Sequence, residues 1–166
     1  MTQIFENREE AGKQLAEKLS AFADQPDAVV LGLPRGGIPV AYEVAIHLGL
    51  PLDVFVVRKL GVPWQPELAF GAMASGNTMV FNDDIVRSCS LTEHEIESVA
   101  RAEQIELARR ERAYRDSRPP LELTGKKVIL VDDGLATGAT MRAAVQAVRS
   151  KHPAQIIVAV PVGSAQ

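Results

Sequence analysis

The stretch Val128-Ile-Leu-Val-Asp-Asp-Gly-Leu-Ala-Thr-Gly-Ala-Thr140 decides the fold. Four apolar residues in a row read as a strand buried on both faces, as in a parallel sheet. That strand delivers Asp132 and Asp133 at its carboxyl end, where open α/β sheets bind their ligands. Adjacent carboxylates repel, so a partner must reward them. Ribose hydroxyls, which donate hydrogen bonds, or a Mg²⁺ ion meet that need. Gly134 to Thr140 then forms a small-residue turn opening a helix, whose exposed N–H groups and N-terminal dipole favour a phosphate. The loop carries no lysine, which excludes the phosphate loop of nucleotide triphosphatases, and it is not Gly-x-Gly-x-x-Gly. One carboxylate pair with one monophosphate cradle matches a ribose 5-phosphate.

Working outward, the segment belongs to a final β-α-β unit. Its strand spans Lys127–Asp132, its helix runs from about Gly138 to Ser150, and its last strand is Gln155–Val160. Upstream, Ala28–Leu33 is another continuous apolar run. Pro34-Arg-Gly-Gly37 is its turn, Ile38–Leu48 its helix, and Leu52–Val57 the next strand. Two such units predict an α/β domain with a mainly parallel twisted sheet, right-handed crossovers and helices on both faces. Asn7 with Glu10 predicts a capped first helix, with Ala11, Leu15, Leu19 and Phe22 on its apolar stripe. Arg58–Asn82, rich in glycine and proline, reads as a long functional loop carrying a hairpin of Phe70–Met73 with Thr78–Phe81. Thr92 and Glu95 cap a helix reaching Arg115. Its Glu97/Arg101, Glu106/Arg110 and Glu111/Arg115 spacings suggest a solvated face.

The bulk properties narrow the function. The chain has 166 residues, 46% hydrophobic and 23% charged, with net charge −3, which fits one globular domain and no basic field for nucleic acid. The single cysteine, Cys89, and the scattered His47, His94 and His152 argue against a disulfide or a zinc site. No signal-peptide pattern and no bilayer-length apolar run occur, so a cytoplasmic location is expected.

Val128–Thr140 resembles the phosphoribosyl pyrophosphate (PRPP) signature of type I phosphoribosyltransferases. Leu33-Pro-Arg-Gly-Gly37 is similar to the pyrophosphate loop of that family, and Val57-Arg-Lys-Leu60 stands where the family has basic residues before a mobile catalytic loop. The closest likeness is to a group of uncharacterised bacterial phosphoribosyltransferases. They share a start like Phe5-x-Asn-Arg-Glu-x-Ala-Gly12, a stretch like Arg58-Lys-Leu-Gly-Val-Pro…Pro66-Glu-Leu-Ala-x-Gly-Ala72, and a helix inserted before the PRPP strand.

The resemblance implies transfer of a 5-phosphoribosyl group from PRPP to a nitrogenous acceptor, with release of pyrophosphate and use of Mg²⁺. Asp132 and Asp133 would hold the ribose hydroxyls and organise Mg²⁺ through them or through water. Ala136, Thr137, Gly138, Ala139 and Thr140 would bind the 5′-phosphate. Arg35, Gly36, Gly37, Arg58 and Lys59 would take the pyrophosphate. Closure of the Gly61–Asn77 loop would exclude water.

Hypoxanthine-guanine enzymes have an Asp where this chain has Ala136, so Glu67 becomes the candidate proton acceptor. Adenine enzymes also have Ala there. Trp64 in the loop suits acceptor stacking, a lid or a dimer contact. The segment after Val160 is short for the family's hood over the acceptor. One domain, a homodimer and small-molecule partners, with no nucleic acid or membrane, complete the expectation. The alternative is a non-catalytic module that senses PRPP or a nucleotide. A receiver-type phosphoacceptor fits less well, since receivers place their acidic pair on the first strand.

Overall fold

The computed structural model describes residues 7–115, 118–134 and 138–161. Its centre is a four-stranded parallel sheet in the order β2-β1-β6-β7, built from β1 (Ala28–Gly32), β2 (Leu52–Val54), β6 (Lys127–Val131) and β7 (Gln155–Ala159). β1 and β6 pair in register, Gly32 opposite Val131, so the two turns that follow them emerge side by side.

The continuous apolar runs are explained by cover on both faces. Val30, Ile129 and Val131 point to one side, under α1 (Arg8–Lys18) and α2 (Gly37–Leu48). Val29, Leu31, Val128 and Leu130 point to the other, against α5 (Ala139–Arg149). Each such side chain, fully buried, contributes about 1.5–3 kcal/mol. The first helix is capped as its sequence predicts, Asn7 Oδ1 accepting from the Glu10 N–H at 2.9 Å. It ends at Lys18, and Ser20–Phe22 continues as a 3₁₀ turn.

The stretch from Arg58 to Asn82 is more ordered than its glycines and prolines suggest. It forms an antiparallel three-stranded sheet of β3 (Val57–Val62), β4 (Gln65–Ala74) and β5 (Thr78–Phe81). The expected hairpin is there, with Gly71 opposite Phe81 and Met73 opposite Met79. A further strand, β3, pairs with the other edge of β4, and irregular register around Gly61 accommodates the turn at Pro63 and Trp64. The expected second strand, Leu52–Val57, is accordingly divided: β2 ends at Val54 and β3 begins at Val57.

A short helix, α3 (Asp83–Ser88), capped by Asn82, was not expected and follows the ribbon. The 23-residue α4 (Glu93–Arg115) comes next. Its capping box is reciprocal: Thr92 Oγ1 accepts from the Glu95 N–H at 3.1 Å, and Glu95 Oε1 accepts from the Thr92 N–H at 3.0 Å.

α4 is only half solvated. Leu107 is buried, and Ile96, Val99, Ala100 and Tyr114 pack with Leu60, Val62 and Phe70 of the ribbon into a separate core. The expected Glu111/Arg115 pair is replaced by a buried one. Arg115 lies 3.2 Å from Asp53 of β2 and donates to the Val54 carbonyl at 2.6 Å. Among the described residues no helix is long and apolar enough to cross a membrane.

Candidate functional site

The acidic pair stands just beyond the end of β6. Asp132 N–H donates to the Ala159 carbonyl at 3.3 Å, and its Oδ1 accepts from the Asp133 N–H at 2.8 Å. Half-burial, reinforced by the neighbouring Asp133 and only partly offset by that N–H, pushes the Asp132 carboxyl up to about 6. Asp133 reaches the other way. Its Oδ2 accepts from Arg8 Nη2 at 3.1 Å, which brings the start of α1 to the acids. Arg8 is the contact that the spacing of motifs did not predict. The signals in the sequence were its place beside the Asn7 cap and within the Phe5–Gly12 start shared with the bacterial group.

The turn after β1 closes on the same point. The Leu33 N–H donates to the Val131 carbonyl at 2.9 Å, the Gly37 N–H donates to the Leu33 carbonyl at 2.9 Å, and the Pro34–Arg35 peptide is cis. Both glycines stand at the close approach, and backbone demands the second. A Cβ on Gly36 would lie 2.1 Å from Asp133 Oδ2, and one on Gly37 would lie 2.7 Å from the Val131 carbonyl oxygen and 3.0 Å from Asp132 Cα. The spacing Arg-Gly-Gly thus serves the packing of turn on acid as well as any anion.

Ala136 and Thr137 lie outside the described residues. Gly138, at φ +75°, is the N-cap of α5, a left-handed conformation that suits glycine. Ala139 and Thr140 form the first turn of the helix, at its positive dipole end.

The basic pair on β3 is split, because neighbouring strand residues point to opposite faces. Arg58 Nε donates to Glu103 Oε2 of α4 at 2.7 Å. Lys59 faces the other way, into a cavity of about 270 Å³ that it lines with Asn82, Ala139, Arg142 and Gln146. Arg35 lies in another cavity of about 270 Å³, shared with Arg109 and Arg110 of α4. Glu67 is exposed on β4, and its side chain makes no hydrogen bond or ion pair among the described residues. Trp64 stands 59% exposed at the ribbon tip. A separate cavity of about 180 Å³ beneath Leu121–Leu123, beside Asp53 and Lys151, contains none of the motif residues.

Among the described residues no three acid, histidine or cysteine side chains cluster as a metal site. The two carboxylates alone fit a cation that brings most of its oxygen ligands with a substrate and water. The arrangement therefore offers acceptors for hydroxyl groups at the centre, a helix N-terminus on the β6 side and a basic cavity on the β1 side.

Known proteins share this organisation. The family model described as phosphoribosyl transferase domain matches residues 1–166. A Mycobacterium tuberculosis protein named "Putative phosphoribosyl transferase" is 50% identical over 160 residues, 96% of this chain and 36% of its own length. The chain thus spans about a third of that relative. The crystal structure of a Thermus thermophilus protein, TT1426, is 43% identical, with a TM-score of 0.87, over 97% of this chain and 76% of that one. The fold alone is shared with a hypoxanthine-guanine phosphoribosyltransferase from Bacillus anthracis, 14% identical, with a TM-score of 0.55 over 99% of this chain and 74% of that one. On the family match and the arrangement of its strands and loops, this chain belongs to the phosphoribosyltransferase family.

Proposed function

We propose that this chain transfers the 5-phosphoribosyl group of PRPP to a nitrogen of a base-like acceptor. In that reaction the bond from C1 of the ribose to the pyrophosphate oxygen breaks and a bond from C1 to the acceptor nitrogen forms. Pyrophosphate leaves with the bonding electron pair, and the acceptor nitrogen gives up its proton to water or to the departing pyrophosphate. The observation that carries the reading is the acidic pair Asp132–Asp133, packed against Gly36 on one side and followed by Gly138 and α5 on the other.

The ribosyl centre becomes electron-poor as the leaving group departs, so positioning and fixed charge are the main contributions a protein can make. Asp132 and Asp133 hold the ribose hydroxyls and fix the sugar. The N–H groups at the start of α5 hold the 5′-phosphate. Arg35 and the turn at Gly36 and Gly37 face the leaving group. Asp132 and Asp133 would hold a magnesium ion through the ribose hydroxyls or water, and when bound it would supply charge neutralisation to the pyrophosphate. A cytoplasmic homodimer acting on small molecules belongs to the same reading.

The test uses the full chain with PRPP, Mg²⁺ and a panel of purine and pyrimidine bases. Pyrophosphate and nucleotide are measured together. Acceptor-dependent release of pyrophosphate, abolished in Asp132→Asn/Asp133→Asn, is the expected result. PRPP binding without turnover on any base would replace transfer with a sensing role.

A further inference from the structure

α4 brings two arginines to the turn after β1, and the fold makes little use of either. Pro34 and Arg35 from the turn, with Arg109, Arg110, Ala113 and Tyr114 from α4, line one cavity of about 270 Å³. That volume has room for an anion and several waters. Arg109 binds Glu106 through two bonds, at 2.6 and 3.0 Å, and Arg110 binds the same carboxylate at 3.1 Å. These two guanidinium groups, Arg109 first, hold the Glu106 carboxyl down at about 2. Among the described residues, three arginines are therefore matched by one glutamate, and no acid lines the cavity.

An ordinary solvated helix face accounts for Glu106 with Arg109 and Arg110, but not for Arg35. That residue comes from a different element, and its side chain makes no hydrogen bond or ion pair among the described residues. Gathering like charges costs free energy unless an anion reduces the repulsion. Guanidinium forks match phosphate oxygens in pairs, which makes a phosphate the anion of choice.

The position of the cavity narrows the choice further. Arg35, which lines the cavity, adjoins Gly36, and Gly36 packs against Asp133, so a single residue of the turn links the cavity to the acids. The cavity lies on the β1 side, where α4 is fastened to β2 through Arg115, whereas α5 follows β6. PRPP carries its single phosphate at one end of the sugar and its pyrophosphate at the other. Arg58, expected with Lys59 to neutralise the leaving group, is engaged by Glu103 of the same helix.

We propose that Arg109 and Arg110 of α4 join Arg35 as the wall that binds the leaving pyrophosphate. This inference rests on the phosphoribosyl-transfer reading above, and it makes the inserted helix part of the site.

Titration calorimetry with inorganic pyrophosphate, ribose 5-phosphate and PRPP, each with Mg²⁺, tests it on the full chain. Arg109→Gln/Arg110→Gln is compared with the wild type and with Arg101→Gln/Arg112→Gln, which removes equal charge from exposed positions of the same helix. Loss of charge-assisted bonds is expected to weaken pyrophosphate and PRPP by about tenfold or more, with ribose 5-phosphate held within about twofold. The Arg101/Arg112 control is expected to stay within about twofold for all three ligands. Thermal unfolding verifies that both variants remain folded.

Unchanged pyrophosphate affinity in Arg109→Gln/Arg110→Gln, an equal loss in the control, or no pyrophosphate binding by the wild type would overturn the inference. Should the wild type bind pyrophosphate through these arginines but neither ribose 5-phosphate nor PRPP, the wall stands and the transfer reading falls.

Discussion

Gly36 and Asp133 meet so closely across the ends of β1 and β6 that a Cβ on the glycine would lie 2.1 Å from Oδ2 of the acid. The obstacle is the far end of a side chain, which can rotate away. For Gly37 the obstacles are backbone atoms, the Val131 carbonyl oxygen and Asp132 Cα, which cannot. Gly36→Ala should therefore cost little stability but misplace Asp133 and weaken PRPP. Gly37→Ala should cost about 1–3 kcal/mol of folding free energy through overpacking. Urea denaturation of the two variants beside PRPP titrations checks the contrast, and equal stability losses would count against it.

Asp132 links the site to pH. Its carboxyl is ordinarily near 3.8 and is raised to about 6 in the folded chain, mainly by burial. Between these values the folded state holds more protons than the unfolded one, so this group's contribution makes stability fall as pH rises through the window. Asp132→Asn keeps the acceptor for the Asp133 N–H and removes the titration. Denaturation midpoints measured from pH 4 to pH 7 should fall more steeply for wild type than for the variant. Parallel curves would show that Asp132 is not the group responsible.

Arg115 is 4% exposed and serves as the partner of Asp53, which also accepts from the Leu121 N–H at 3.0 Å. Arg115→Met leaves a buried carboxylate without its counter-charge and should destabilise the fold by about 3–5 kcal/mol. Asp53→Asn/Arg115→Met should recover a substantial part of that loss. A double variant no better than the single would mean that packing, not charge, sets the cost.

Arg8 and Asp133 form an exposed pair, worth at most about 1 kcal/mol. Arg8→Ala should leave the melting temperature almost unchanged. Because Asp133 must part from Arg8 to accept ribose hydroxyls, the variant should bind PRPP more tightly than wild type does. Calorimetry decides this, and weaker binding would make Arg8 a ligand contact instead of a competitor.

What the sequence revealed depended on the range of the interactions concerned. The parallel sheet was legible because burial on both faces writes itself into four or five consecutive apolar residues, as at Val128–Val131. The caps at Asn7 and Thr92 were legible because each is settled within three residues. The ribbon was read only in part. Its Phe70–Phe81 half alternates around a turn, while β3 mixes Arg58, Lys59 and Gly61 and owes its place to α4.

Pairs distant in the chain were hidden. Arg115 has Glu111 at helical spacing, yet its partner is Asp53 on another element. Arg58 looked like a companion of Lys59, and nothing local pointed to Glu103. Arg110 has Glu106 at helical spacing, and Arg109 is its neighbour on the same helix. Only the fold brings them beside Arg35.

The division of labour along β3 has a consequence for how this ribbon tolerates change. Arg58 and Lys59 are chain neighbours that serve opposite walls, one tied to Glu103 and the other beside Ala139 and Arg142. The irregular register begins only after them, beyond Leu60. Inserting or deleting one residue just after Lys59 would invert the two addresses, sending the lysine toward the helix and the arginine toward α5. Composition and net charge would barely change. The ribbon therefore behaves as a two-letter code whose meaning lies in parity, and paired insertions should be tolerated where single ones are not.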